Sequence, residues 1–286
     1  MQADLYQDYD VPEELKPFVR RIVYCDCDAD IDINLPATPT VYNYFSWIVD
    51  GTWEAVGALD SSKVSAGSVS LIGQIYKAKI RVLASGRFRH VAAELTSAGL
   101  TALFGEYSKD YQNRVVEIDD DHIAYSDCIA LMNNNQWSEK PIEDALQQLI
   151  SSIAYYSNQS ETKNKVPHYI LEAVEMAEGA LGNLTVDEMS GAQNVEFFSK
   201  QFSRYIGIPP KYFAQVIRVN ATLLTLVEAE PDQLANIAHE RGYFDESHLI
   251  KEVRMFFDSS PTQLRESVDA ILKAFPIGSQ MIGTEN

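Results

Sequence analysis

The stretch from Gly242 to Phe257 constrains the fold most strongly, because it predicts a sharp turn followed by an amphipathic helix. Gly242 suits the turn, and Asp245 suits the N-cap of the helix. The inward face of that helix carries apolar residues at helical spacing, namely Leu249, Val253 and Phe256. Residues 231–240 predict a shorter helix just upstream. Two short helices joined by a glycine-containing turn form a helix-turn-helix, whose second helix can enter the major groove of DNA.

This segment resembles the second helix-turn-helix of the AraC/XylS family of bacterial transcription regulators. The matching residues keep the family's spacing: Ala235, Ile237, Ala238, Gly242, Tyr243, Phe244, Ser247, His248, Leu249, Phe257, Ser260 and Pro261. The resemblance implies a C-terminal domain with two such units and an N-terminal domain that senses an effector or mediates oligomerisation. It also implies promoter or operator double-stranded DNA as the partner, with RNA polymerase and a small-molecule effector as further candidates.

An earlier segment is similar to the first helix-turn-helix unit of the same family. Thr185 and Glu188 stand at capping-box spacing, and Asn194 can cap a helix over residues 195–205. Pro209 and Pro210 then start a long linking helix, residues 211–227. The residues expected to pack inward from the capped helix are Val195, Phe198, Phe202 and Tyr205 or Ile206. Three residues depart from the family's pattern, namely Gly191, Asn220 and Asp258.

By resemblance, the outer faces of the two recognition helices read DNA, in major grooves about 34 Å apart on one side of the duplex. The predicted DNA-contacting residues are Glu196, Ser199, Lys200, Ser203, Arg204, Glu246, Ser247, Ile250, Lys251 and Arg254. Lys200 and Lys251 hold equivalent positions and suit guanine, whereas Arg204 and Arg254 suit phosphates. An ordinary solvated helix face is the alternative interpretation.

Residues from about 22 to 95 are typical of short β-strands separated by glycine-containing turns. Asp50-Gly51 predicts a hairpin turn, and Ser85-Gly86 predicts a further break. Short strands at this spacing predict a sandwich or a barrel. Residues 119–132 and 141–156 predict helices. The apolar stripe of the second helix can face the barrel, another helix or a second subunit, and we expect a homodimer.

We therefore predict an α+β chain of two domains. Its parts are an N-terminal β-barrel or cupin-like domain with appended helices (1–158), a polar linker (159–166), an all-α double helix-turn-helix domain (167–272) and a tail (273–286). The candidate effector ligands in the first domain are Tyr42, Tyr44, Trp47, Arg87, Arg89 and His90. Aromatic residues on strands more often belong to the core, and a surface strand explains the basic residues equally well.

The acidic composition weighs against DNA binding. The chain has a formal net charge of -18, and residues 167–268 contain eight Lys or Arg and fifteen Asp or Glu, which gives -7. Lys and Arg contacts to phosphates supply most non-specific affinity for DNA, so we expect weak, salt-sensitive binding. The alternative is a degenerate relative whose acidic helix-turn-helix domain binds a protein partner and regulates without specific DNA binding.

Other classes of function lack their motifs in this sequence. Cys25, Cys27 and Cys128 are interpreted as reduced structural thiols, and His90 is the one histidine of the β segment, so we expect no metal site and no cofactor. No nucleophile elbow or phosphate-binding glycine loop occurs, so we expect no enzymatic activity. The sequence has neither a signal peptide nor a run of about 18 apolar residues, which predicts a cytoplasmic protein with no membrane partner.

Overall fold

The chain folds into an N-terminal β domain with packed helices and a C-terminal domain made of helices. The structure is a computed structural model that describes residues 6–37, 39–58, 62–133, 135–159, 166–228, 233–257 and 260–261. Most of the predicted linker, 159–166, lies outside the described residues, as do the predicted end of the second domain at 272 and the tail, 273–286. Those limits stay predictions.

Within the described residues, seven strands form one antiparallel sheet. They are β1 (Gln7–Tyr9), β2 (Val19–Pro36), β3 (Tyr44–Val56), β4 (Ser62–Ser65), β5 (Val69–Ile72), β6 (Arg81–Leu95) and β7 (Val115–Glu117). Their order is β1-β2-β6-β3-β5-β7, with β4 paired to β3. The sheet confirms the predicted β character of the N-terminal domain, and its three long central strands bend at register shifts.

Two glycine-containing pairs that predict turns lie inside long strands instead. The predicted hairpin at Asp50-Gly51 is wrong, because β3 continues through it and pairs with β6 on both sides. Gly51 has a φ of 89°, and a Cβ there would lie 2.4 Å from the carbonyl oxygen of Arg87. Glycine thus permits a β-bulge where β6 approaches closely. Ser85-Gly86 likewise lies within β6.

Each face of the sheet buries its own core, and register shifts in β3 around Asp50 change which residues face which core. Phe45 and Trp47 pack under three helices, α1 (Gly99–Phe104), α2 (Asp127–Met132) and α3 (Ile142–Asn158). Ile48 and Trp53 belong to the core of the other face, which surrounds a cavity. The apolar stripe of α3 is buried against this domain's own core rather than left for a partner.

The predicted helix over residues 119–132 is shorter than expected, because α2 begins only at Asp127. Upstream, the Asp119 side chain accepts a hydrogen bond from the Asp121 amide, 3.2 Å away. His122 donates its amide to the Asp119 carbonyl oxygen in a turn. An aspartate side chain that bonds its own backbone in this way competes with helix formation.

Six helices lie in the described part of the C-terminal domain. They are α4 (His168–Gly179), α5 (Val186–Ser190), α6 (Val195–Ile206), α7 (Pro210–Glu228), α8 (Leu234–Glu240) and α9 (Glu246–Phe257). The capping box at Thr185 and Glu188 is confirmed. Phe213 of α7 packs with α4–α6, and Val219 packs with α8 and α9, so one helix joins both cores. No described helix has the length and apolarity needed to cross a membrane.

Candidate nucleic-acid interface

Helix α6 presents the polar face predicted for the first recognition helix. Asn194 caps it by accepting hydrogen bonds from the amides of residues 196 and 197, both at 3.1 Å. Its inward face buries Phe198, Phe202 and Ile206. Val195 was expected to pack inward but is 38% exposed, because it stands in the first turn, where the helix begins beyond the core.

The outer face of α6 contains five of the predicted DNA-contacting residues. Glu196, Lys200 and Arg204 are exposed, whereas Ser199 and Ser203 are half-buried. Lys200 Nζ donates to Glu196 Oε1 at 2.8 Å, one helical turn away. The hydrogen bond raises the pKa of Lys200 and lowers that of Glu196. The ammonium group therefore already has a carboxylate partner, although both side chains remain in water.

Helix α9 presents the second predicted face. The Asp245 carboxylate accepts the His248 amide at 2.8 Å, which confirms the predicted N-cap. Leu249 and Val253 are buried, and Phe256 is half-buried. The predicted DNA-contacting residues Glu246, Ser247, Lys251 and Arg254 are exposed, and Ile250 is half-buried against the core of this unit.

Lys251 makes no hydrogen bond or ion pair with any residue that the structure describes. This distinguishes it from Lys200, which occupies the equivalent place on α6. Beside the start of α9, the ring of Phe244 is 92% exposed. The two helices predicted to read DNA thus both bury apolar residues and expose a polar face, but they differ in how their lysines are engaged.

A buried ion pair that the sequence analysis missed holds α9 against α7. Arg218 donates two hydrogen bonds to Glu252 Oε1, at 3.0 and 2.9 Å, and one to Oε2 at 2.7 Å. The Glu252 side chain is only 3% exposed. Its spacing from Leu249 and Phe256 places it on the inward face, which is the signal that could have revealed the pair. Arg218 also lies over the ring of Tyr243, 4.7 Å from its centroid.

The C-terminal end of α6 is packed against the N-terminal domain. Thr101 Oγ1 donates to the Tyr205 carbonyl oxygen at 2.9 Å. Gln74 and Gln112 donate their side-chain amides to the carbonyl oxygens of Ile206 and Gly207. The guanidinium of Arg204 lies 3.9 Å from the ring centroid of Tyr107. A residue predicted to meet phosphate is therefore in contact with the other domain.

Helices α4 and α7 also contact the N-terminal domain. Asn220 of α7 is buried and donates its side-chain amide to the Pro39 carbonyl oxygen at 3.0 Å. One of the three positions that depart from the family's pattern thus contacts the N-terminal domain. On α4, Glu178 accepts hydrogen bonds from Tyr42 and Ser97, both at 3.3 Å, and burial raises the pKa of its carboxyl group. No local sequence signal marks these pairs, because each joins residues far apart in the chain.

Three of the six predicted effector ligands line one cavity of about 170 Å³ in the β domain, namely Tyr42, Tyr44 and His90. The other three lie elsewhere. Trp47 is fully buried in the core under the helices. Arg87 pairs with Asp50, whereas buried Arg89 pairs with Asp26 and donates to the carbonyl oxygens of residues 138 and 140. Asn220 of the C-terminal domain also lines the cavity.

A model of a known protein family matches the C-terminal part of the chain. Residues 194–267 match a family model described as a helix-turn-helix domain. The chain is 34% identical over 71 residues to an uncharacterized HTH-type transcriptional regulator of Haemophilus influenzae. That match covers 25% of this chain and 24% of the relative, so the chain spans about a quarter of the length of the curated relative it matches.

Solved structures of ToxT from Vibrio cholerae are similar over most of the chain but only loosely. One is 12% identical, covers 93% of this chain and 98% of the other, and has a TM-score of 0.44. Another, whose description reads unsaturated fatty acid bound wild-type ToxT, is 13% identical, covers 84% and 96%, and has a TM-score of 0.42. At these scores we infer no property of this chain from them.

The family match and the exposed helices α6 and α9 define the class of this C-terminal domain as a helix-turn-helix domain. The chain carries the AraC/XylS-type form of that domain at its C-terminus, which confirms the resemblance found in the sequence.

Proposed function

We propose that this protein is a sequence-specific DNA-binding transcription regulator whose helices α6 and α9 read the major groove. The observation that carries the proposal is the pair of capped amphipathic helices, each with a polar, exposed outer face, joined by α7. In this proposal Lys200 and Lys251 read bases, with Glu196, Ser199, Glu246, Ser247 and Ile250 beside them. Ser203 lies on the same face of α6, and Arg204 and Arg254 bind phosphates.

The acidic surface limits non-specific binding rather than forbidding specific recognition. Few cations meet the phosphates, so affinity depends on a small number of well-placed contacts and falls with salt by a slope that this number sets. Lys251 supports this proposal because its ammonium group is exposed and is not committed to a described neighbour. Glu196 opposes binding by α6, since it neutralises Lys200 in the absence of DNA.

We further propose that an effector acts through the contacts between the two domains. The cavity is lined by Tyr42, which bonds Glu178 of α4, and by Asn220, which belongs to α7. A bound molecule would therefore touch residues that join the domains. It can regulate DNA binding only by binding the docked and released arrangements with different affinity. Homodimerisation and contact with RNA polymerase stay predictions.

The test is fluorescence anisotropy of the full-length protein with DNA from upstream of its own gene and with an unrelated duplex, across a salt series. We expect tighter binding to the upstream duplex and a linear fall of log affinity with log salt. Lys251→Ala should weaken specific binding by roughly 5- to 150-fold, corresponding to about 1–3 kcal/mol. Lys63→Ala, an exposed lysine on β4, is the matched control.

Equal, negligible binding to both duplexes at low salt would contradict the proposal. A protein partner for the acidic helix-turn-helix surface would then be the better explanation. Under that alternative, Arg254→Ala would leave any residual salt dependence unaltered, whereas loss of a phosphate contact at Arg254 would make the dependence shallower, because only phosphate contacts release counterions in proportion to their number.

A further inference from the structure

We infer that the cavity of the β domain binds a compact, uncharged molecule with an apolar body and one or two hydrogen-bonding groups. The chemical class of this ligand specifies the effector of the proposed function, on which its biological meaning rests. Binding of the ligand to the cavity can be measured without DNA. The cavity lies on the face of the sheet opposite α1–α3 and extends to α7.

The size and walls of the cavity favour a small apolar body. Its volume is about 170 Å³. An apolar protein cavity of about 150 Å³ is large enough to hold benzene. Most of the lining side chains are aliphatic or aromatic, and they include Ile33, Ala55, Ile75, Ile80, Ala84 and Phe88. The expected guest therefore has about the size of one substituted ring or a short alkyl chain.

The buried charges that line the cavity already neutralise each other. Arg20 donates its Nε proton to Glu94, whose carboxylate also accepts the Tyr44 hydroxyl at 2.8 Å. Glu94 is 3% exposed and Arg20 is 19% exposed. A ligand carboxylate could bind Arg20 only by taking it from Glu94, which would leave a buried anion without its cation. A ligand cation could bind the Glu94 carboxylate only by displacing Arg20 from it. Separating the buried pair of Arg20 and Glu94 in either way is costly.

The remaining titratable groups supply no strong charge inside the cavity. His90 contacts the Tyr6 hydroxyl through Nδ1 at 2.7 Å and Ser46 Oγ through Nε2 at 2.8 Å. Burial lowers the pKa of His90 to about 3, so the ring is neutral at neutral pH. Arg114 lies exposed among the lining residues and donates to the Asp110 carbonyl oxygen. Water screens a charge in such an exposed position.

Two buried polar atoms of lining residues indicate which hydrogen bonds a guest would make. The indole N–H of Trp53 and the side-chain oxygen of Asn220 have no hydrogen-bond partner among the described residues. A buried polar group without a partner costs stability, and a ligand that supplies one recovers that cost. An alcohol or carbonyl group can accept from Trp53, and a hydroxyl can donate to Asn220. The second contact would place the guest against α7.

The experiment compares ligands that share a hydrocarbon body but differ in charge, with isothermal titration calorimetry on the full-length protein. The first set is benzyl alcohol, benzoate and benzylammonium at neutral pH, and the second is octanol and octanoate. We expect the uncharged member of each set to bind at least about tenfold more tightly. A carboxylate or ammonium that binds as tightly as its alcohol would overturn the inference, as would no saturable binding of any alcohol up to its solubility limit.

A pair of tryptophan variants tests the site and the hydrogen bond. Trp53→Phe keeps an aromatic ring and removes the N–H donor, so the affinity for benzyl alcohol should fall by roughly 2- to 13-fold. Trp47→Phe is the matched control, because Trp47 also has an unpartnered N–H but is buried on the other face of the sheet. Equal affinities of the two variants for benzyl alcohol would contradict binding beside Trp53.

Binding to DNA is measured separately, by fluorescence anisotropy. A failure to bind DNA would therefore count against the proposed function alone.

Discussion

The two helices predicted to read DNA, α6 and α9, have the same length and each buries apolar side chains four residues apart, yet their surroundings differ. The last turn of α6 is hydrogen-bonded to the N-terminal domain through Thr101 and Gln74, and Lys200 is paired with Glu196. Among the described residues, the hydrogen bonds and ring contacts of α9 are to its own C-terminal domain, and Lys251 is unpaired.

This difference indicates that sequence similarity between two structural units does not make them equally available to DNA. Contacts at the end of α6 tie its orientation to the N-terminal domain, and we propose that this coupling makes DNA binding by α6 depend on that domain. We therefore expect α9 to supply most of the affinity for DNA and α6 to supply the part that the N-terminal domain controls. The following predictions test this division of roles.

The largest expected effect comes from removing the buried cation that holds α9. Arg218→Ala removes the arginine from the buried Glu252 carboxylate and leaves it with the Gln215 side-chain amide at 3.2 Å and His248 at 4.0 Å. The free energy of unfolding should therefore fall by up to about 3–5 kcal/mol. Phe202→Ala, which removes a buried ring under α6, should cost a similar amount for a different reason, the loss of apolar packing. Urea denaturation measures the free energy of unfolding of both variants.

A double variant, Arg218→Met with Glu252→Leu, removes both members of the ion pair. It should recover much of the stability that Arg218→Ala loses. A stable Arg218→Ala protein would show that the pair does not hold α9.

The next prediction compares the two equivalent lysines in specific DNA binding. Lys251→Ala should cost about 1–3 kcal/mol, whereas Lys200→Ala should cost less, because Lys200 must first leave Glu196. Anisotropy titrations with the same specific duplex give both values. Glu196→Ala should strengthen binding, because it frees Lys200 and removes a negative charge near phosphates. Equal losses for both lysines, with no gain from Glu196→Ala, would refute unequal roles for α6 and α9.

Local signals made the helices of the C-terminal domain predictable. The capping box at Thr185, the Asn194 cap and the apolar spacing of Phe198 and Phe202 depend on residues within one or two turns of each other. These signals located α5 and α6 without knowledge of the tertiary structure. The resemblance then supplied the arrangement in two units, which the family match supports.

Long-range contacts were not predictable in the same way. Asp50-Gly51 has the composition of a hairpin turn, and only the pairing of β6 across it makes it a bulge. Alternation along β3 could separate Trp47 from Tyr44, but it could not show which face encloses a cavity. The contacts of Asn220 with Pro39 and of Glu178 with Tyr42 join residues more than a hundred positions apart.

A smaller effect is expected from weakening the contact between α6 and the N-terminal domain. Thr101→Val keeps the side-chain shape but removes the hydrogen bond to the Tyr205 carbonyl oxygen, which contributes about 1 kcal/mol. Release of α6 should raise the affinity for specific DNA by up to roughly fivefold. Thr96→Val is the control, because Thr96 donates to Pro17 within the N-terminal domain. An unchanged or lower affinity of Thr101→Val would show that docking does not restrain α6.

The smallest expected effect is a pH dependence of docking at Glu178. Docking buries this carboxyl group and raises its pKa, whereas the released group is hydrated and has its ordinary pKa. The docked arrangement therefore binds the proton more tightly. Its stability is fully present below the ordinary pKa and declines as pH rises through the raised pKa. Hydrogen-exchange mass spectrometry of residues 204–210, corrected for intrinsic exchange rates, should show greater protection at mildly acidic than at neutral pH.

Glu178→Gln separates this titration from the general effect of acid on an acidic protein. The glutamine oxygen can still accept from Tyr42 and Ser97, but it does not titrate, so protection of residues 204–210 should lose the part of its pH dependence that Glu178 supplies. Identical pH profiles for the wild-type protein and this variant would exclude Glu178 as the titrating group. A difference confined to α6 and absent from residues 246–257 would show that protonation controls only the recognition helix packed against the N-terminal domain.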